Sequence, residues 1–240
     1  GSQASIEVIQ LIVQKNPAII GEKTYDNNLT AVSALWHAQL RSLQGHIQIT
    51  RILKGDDVDE SHFDRFWEKV VFLAKEAFRR SPFCADDLDL DSSTKFALHG
   101  LLYLEAPLDL LKVALQRHPE WASFADVDGN YPLHVVLARR PFGVKDREII
   151  RLLLKAYPEA AGKKSKVGGF PIFIAIRNNL AWEEGLKDIV HCYTDALGSG
   201  DTETGLYPFL LASSLDGQVA VDTSYQLLCE RPDFMKHAFM

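Results

Sequence analysis

The stretch IIRLLLKAYPEAA, Ile149 to Ala161, reads as one apolar helix that ends at Tyr157-Pro158. Proline cannot continue a helix, and it bars the residue before it from helical geometry. The same ending recurs along the chain. It stands in VIQLIVQKNP (Val8–Pro17), VVFLAKEAFRRSPF (Val70–Phe83), LLKVALQRHPEWA (Leu110–Ala122) and YQLLCERPDF (Tyr225–Phe234). IVHCYTDA (Ile189–Ala196) carries Thr194 in the proline slot. The steps from Pro17 through Pro82, Pro119, Pro158 and Thr194 to Pro232 are 65, 37, 39, 36 and 38 residues. Self-similarity at such a period marks stacked repeats, with the first step lengthened by an insertion at about residues 40–65. Stacked repeats make extended binding surfaces more readily than reaction sites.

A second motif sits between these endings. Its clearest copy is ADVDGNYPLHVVLA, Ala125 to Ala138. Asp126 and Gly129 punctuate a turn, with glycine suited to positive φ. Pro132 suits the first turn of a new helix, where its missing N–H costs nothing. The frame repeats with Gly168 and Pro171, and with Gly205 and Pro208. It repeats more loosely with Asn27 and Thr30, and with Ala97, where His99 matches His134. Four residues past the slot stand Ala34, Leu101, Val136, Ala175 and Ala212, small side chains predominating where helices approach closely. Each unit therefore reads turn, inner helix, loop, outer helix, proline.

This pattern resembles the ankyrin repeat. The family's Asp, Gly and Thr-Pro-Leu-His signature is matched by Asp126, Gly129, Pro132, Leu133 and His134, with Tyr131 in place of threonine. The double-leucine outer helix is met by Leu152, Leu153 and Leu154. The likeness runs over roughly residues 6–235. The long units and the YPEAA-type endings are similar to divergent ankyrin-like repeats of the kind abundant in diatoms and related algae. The resemblance implies an all-α solenoid of about five helix-loop-helix units in one domain over residues 3–240; Gly1-Ser2 by itself reads as an expression scar. It also implies that His99 and His134 bond backbone between neighbouring loops. The abrupt start and finish read as a fragment of a longer protein.

The bulk properties narrow the function. A net charge of −6 and a pI near 5.8 disfavour nucleic acid as a partner. No apolar run approaches the length of a membrane helix. Cys84, Cys192 and Cys229 are odd in number and lie on or beside apolar helical faces, which reads as buried thiols in a reducing intracellular compartment. The cytosol, nucleus and organelle stroma are not distinguished by this.

Motifs for chemistry are sparse. An EF-hand loop starting at Asp87 requires Gly at 92 and Glu at 98, where Ser92 and Leu98 stand. The eight histidines show no metal spacing. Gly198 to Gly205 lacks the Lys-Ser/Thr ending of a phosphate loop. Lys163, Lys164 and Lys166 crowd one loop tip, which suits either solvent or an acidic partner. The reading is therefore non-catalytic, with no cofactor and no metal.

The resemblance places partner binding on the concave side. The positions three, six and seven residues past the proline slot are Ser33, Trp36 and His37, then Gly100, Tyr103 and Leu104, then Val135, Ala138 and Arg139, then Ile174, Arg177 and Asn178, and finally Leu211, Ser214 and Leu215. None is acidic. Aromatic and arginine side chains most often dominate interface energy. Trp36, His37, Tyr103, Arg139, Arg177 and Asn178 are the candidate contacts for a protein or peptide segment with aromatic or acidic character. The apolar last helix, with Tyr225, Leu227, Leu228 and Phe234, points to further repeats or to self-association.

Overall fold

A computed structural model describes residues 6–15, 53, 60–79, 94–139, 142–166 and 169–232. Among them the regular structure is helical without a strand; one isolated bridge pairs Ser165 with Gly169. No helix among the described residues is long and apolar enough to cross a membrane. The chain divides into two compact units, Gly1–Trp121 and Ala122–Met240.

The N-terminal unit contains α1 (Ile6–Lys15), α2 (Glu60–Arg79), α3 (Ala97–Tyr103) and α4 (Leu108–Arg117). Most of the proposed insertion, together with Trp36 and His37, lies outside the described residues. Its tail does not belong to a loop: residues 60–65 are the first turns of α2. Phe63, Trp67, Val70, Leu73, Ala74, Ala77 and Phe78 are buried along it. Their spacing is that of one helical face. Trp67 stacks on Phe63 at 5.9 Å and on Trp121 at 6.1 Å. Arg117 caps that ladder, 4.3 Å above Phe63 and bonded to Asp64 at 3.1 Å.

Helix α2 crosses α3 at Gly100. A Cβ there would stand 1.8 Å from the Ala74 carbonyl oxygen. Gly100 therefore sets the helix-to-helix distance and does not face outward as its slot predicts. Leu104 is buried as well, and of that trio only Tyr103 is exposed.

Among the described residues the C-terminal unit holds three helix pairs. They are α5 (Pro132–Leu137) with α6 (Val144–Ala156), α7 (Pro171–Arg177) with α8 (Leu186–Cys192), and α9 (Pro208–Ser213) with α10 (Gln218–Glu230). Each short helix opens on proline at its first turn, as the sequence frame predicts. Within the unit α5 packs on α7 and α7 on α9, while α6 packs on α8. Ala175 and Ala212 are fully buried at these crossings.

The long helices also end alike. His118, Tyr157, Tyr193 and Arg231 leave them with φ of −135°, −148°, −150° and −138°, and ψ of 65°, 82°, 82° and 72°. The slot after the first three opens a 3₁₀ turn, at Pro119–Ser123, Pro158–Gly162 and Thr194–Gly198. Proline is thus a starter as well as a stop. Thr194 reproduces the geometry without a ring, so the surrounding packing is sufficient to impose it. Two of these exit residues pack on the residue before an inner-helix proline: Tyr157 stacks on Tyr131 at 5.9 Å and Tyr193 meets Phe170 tilted at 5.5 Å.

The predicted core is largely where expected. Leu110, Leu111, Leu115, Ile149, Ile150, Leu153, Leu154, Leu227 and the tryptophans Trp67, Trp121 and Trp182 are buried. Leu152 and Leu228 are half-exposed. Two cysteines differ from expectation, and Cys84 lies outside the described residues. Cys192 and Cys229 are free and exposed, near the C-terminal ends of α8 and α10. Their helices present them on the solvent side of the last turn. Partial desolvation, and then the Asp188 carboxylate one turn back, push the Cys192 thiol up.

Candidate partner-binding surface

The surface is built from turns before it is built from helices. Asp126 is buried and accepts from the Asp128 N–H at 2.9 Å, the Asn130 N–H at 2.8 Å and the Asn130 amide at 3.1 Å. Gly129 turns the chain at φ 75°. This is an Asx-type turn, in which a short carboxylate satisfies backbone N–H groups that would otherwise be stranded.

The next loop is fastened to this one. His134 accepts the Tyr131 N–H on Nδ1 at 3.2 Å, and its Nε2 meets the Lys163 carbonyl at 3.1 Å. That pairing assigns the neutral imidazole with its proton on Nε2. The Lys166 N–H donates to the Asp128 carbonyl at 2.8 Å, and its ammonium to the Val127 carbonyl at 2.5 Å. Lys164 lies 4.5 Å above the Phe170 ring. Two of the three loop-tip lysines therefore have internal partners through their side chains. His134 makes the loop-to-loop bond that the ankyrin resemblance implies. His99 is also buried, with its ring 5.4 Å from Phe78 and 5.8 Å from Phe96.

The last turn solves the same problem differently. The Asp201 carboxylate is fully buried. It accepts from the Thr204 N–H at 3.0 Å and the Thr204 hydroxyl at 2.8 Å. Its other oxygen takes the Arg177 guanidinium, which also lies 3.5 Å from Glu203. Gly205 turns the chain here at φ 70°. In the intervening turn at 165–170 the positive-φ glycine is Gly169, one residue past the expected slot; Gly168 lies outside the described residues.

Four of the six predicted contact residues, Tyr103, Arg139, Arg177 and Asn178, lie among the described residues. Tyr103 is exposed in the N-terminal unit. Arg139 is half-buried just past α5 in the C-terminal unit. Arg177 is directed at Asp201 and Glu203, so its charge is already compensated. Asn178 donates to the Leu137 carbonyl at 2.6 Å, joining the end of α7 to the end of α5. Arg177 and Asn178 thus have work inside the fold, whatever else they contact. Leu211, from the same outward series, is buried.

Charged contacts also link successive long helices. Arg147 donates to the Glu183 carbonyl at 3.1 and 2.6 Å and lies 2.9 Å from Glu184. Arg151 bonds Asp188 at 3.0 Å, which raises the guanidinium pKa further. His191 lies 3.3 Å from Glu230. Sequence reasoning missed this outer series. Its signal is the Arg147, Arg151 spacing of four with Glu183, Glu184 and Asp188 one period later.

The Asp86–Phe96 stretch lies mostly outside the described residues. Among the described residues no three His, Cys, Asp or Glu side chains gather as metal ligands would. Compared with known proteins, the chain matches no family, no curated protein and no solved structure.

Proposed function

We propose that this chain is an ankyrin-like repeat module that binds a protein or peptide segment without catalysing a reaction, as a scaffold, adaptor or targeting element. One observation carries the proposal. The turns of the C-terminal unit are tied loop to loop, by His134 to Lys163 and by Lys166 to Val127 and Asp128. Such fastening holds a surface in one shape before a ligand arrives, which lowers the ordering cost of binding. Two exposed thiols suit a reducing compartment.

Within the C-terminal unit Arg139 is the proposed anchor for a carboxylate; Tyr103, in the N-terminal unit, is a separate proposed anchor for an aromatic or aliphatic side chain. Arg177 serves chiefly to hold Asp201, so its reversal would damage the fold and mislead a binding assay. The test is selection of a displayed peptide library on the whole chain. Enriched segments should bear acidic or aromatic residues; binding of the acidic ones should fall at least tenfold with Arg139→Glu, and that of the aromatic ones with Tyr103→Ala. Val144→Ser, at an exposed first turn of α6, is the control. No enrichment, or binding indifferent to both variants, would overturn the reading.

A second reading, self-association, is favoured by a separate observation: Val221 and Tyr225 are exposed on α10.

A further inference from the structure

We infer that two copies of this chain associate about a two-fold axis through their C-terminal faces, α9 and α10 of one protomer meeting α9 and α10 of the other. The inference uses the repeat reading only to align one unit with the next. Aligned on their exit residues, Tyr157 and Arg231, helices α6 and α10 place Arg147 with Val221 and Arg151 with Tyr225. Arg147 and Arg151 reach forward to Glu183, Glu184 and Asp188. This register therefore faces the following unit. In α10 it carries Val221 and Tyr225, 63% and 65% exposed.

The short helices agree independently. Two residues past the proline stand His134, Phe173 and Leu210. The first two are 1% and 0% exposed, and Leu210 is 37% exposed. The slot of Leu154 and Val190, both buried, holds Leu228, which is half-exposed. Leu210, Val221, Tyr225 and Leu228 are thus apolar residues on the face that earlier units bury against a successor.

Charge selects the occupant. At the internal junction the arginine register is met by carboxylates. In α10 that register has no cation, so a partner presenting Glu or Asp there would desolvate its charge without compensation. An apolar, uncharged surface suits this stripe, and the same stripe on a second copy is both. A two-fold contact is self-complementary, so an uncharged stripe places no like charges on the axis. The neighbouring carboxylates are engaged within their own protomer: Asp222 with Gln218 at 2.8 Å and Glu230 with His191 at 3.3 Å. Tyr225 supplies the large amphipathic anchor that interfaces favour.

Sedimentation of the full chain from low to high micromolar concentration tests this. The mass should rise from 26.9 kDa to twice that value. Val221→Glu with Tyr225→Glu, both at exposed positions, should remain monomeric over the same range with an unchanged circular dichroism spectrum. A short bismaleimide should join Cys229 to Cys229 between wild-type protomers, since Cys229 is exposed one turn beyond Tyr225. A monomer at every concentration, or a dimer that survives the double substitution, would overturn the inference. Neither Tyr103 nor Arg139 is altered, so this outcome and that of the peptide selection are separable.

Discussion

The turns at Asp126 and Asp201 occupy corresponding places in the repeat and bury a carboxylate each, yet they satisfy it in opposite ways. Asp126 uses only its own turn: two backbone N–H groups and the Asn130 amide. Asp201 has one oxygen satisfied by Thr204 and gives the other to Arg177, 24 residues earlier on a different element. The first turn is a local device that folds with its neighbours in sequence. The second adds a tertiary contact to its local bonds, because Arg177 comes from α7. A buried carboxylate needs hydrogen bonds or a cation, and the chain shows both solutions at equivalent points.

The comparison breaks hardest at Arg177. Arg177→Met should leave the Asp201 carboxylate buried without its cation, at a cost of about 3–5 kcal/mol. Urea unfolding followed by circular dichroism measures the loss. Adding Asp201→Asn should recover most of it, because the stranded charge is removed. A single-variant loss below about 1 kcal/mol would mean that Thr204 alone satisfies the turn, erasing the contrast. Asp126→Ala comes next. It strands donors but no opposite charge, so the expected loss is about 1–3 kcal/mol. A loss larger than that of Arg177→Met would reverse the ranking of local over tertiary dependence.

The same contrast explains what could be read from residues alone. Local signals were legible. Proline at the first turn of α5, α7 and α9, the Asp126–Gly129 turn and the helix ends before Pro119, Pro158 and Thr194 follow from residue type and spacing. So did most of the buried leucines and isoleucines. The misses involve partners distant in sequence. Arg177 lies in an outward slot by counting from Pro171, yet its charge is bound to Asp201. That aspartate was hard to find because it stands seven residues before its proline, against six for Asp126. Gly100 was counted as outward because slot counting cannot see Ala74 crossing above it. Phe63 falls in the insertion at about residues 40–65 when the units are counted by step length, although Phe63, Trp67 and Val70 already share one helical face. Of the candidate contacts, Tyr103 is exposed and Arg139 half-buried; Arg177 and Asn178 also have structural partners.

A milder version of the comparison lies at the ends of two short helices. α3 and α7 both close with their last N–H groups folded back: Ala106 to Leu101 at 3.0 Å and Glu105 to Leu102 at 2.9 Å, then Leu180 to Ala175 at 2.9 Å and Asn179 to Ile176 at 2.8 Å. This is the Schellman arrangement, which requires a left-handed residue. Glycine fills that place most cheaply, but here it is held by Glu105 at φ 53° and Asn179 at φ 54°. A glutamate in this conformation costs roughly 1–2 kcal/mol, whereas the short polar side chain of asparagine tolerates it better. Glu105→Gly should therefore stabilise the protein by about 0.5–1 kcal/mol after the entropic cost of glycine, and Asn179→Gly by less. Asn179 is exposed, so the second change removes little packing. Melting temperatures of the two variants give the order directly. If Asn179→Gly stabilised more than Glu105→Gly, the exit of α7 would be the more strained of the two, and local residue preference would not account for the difference.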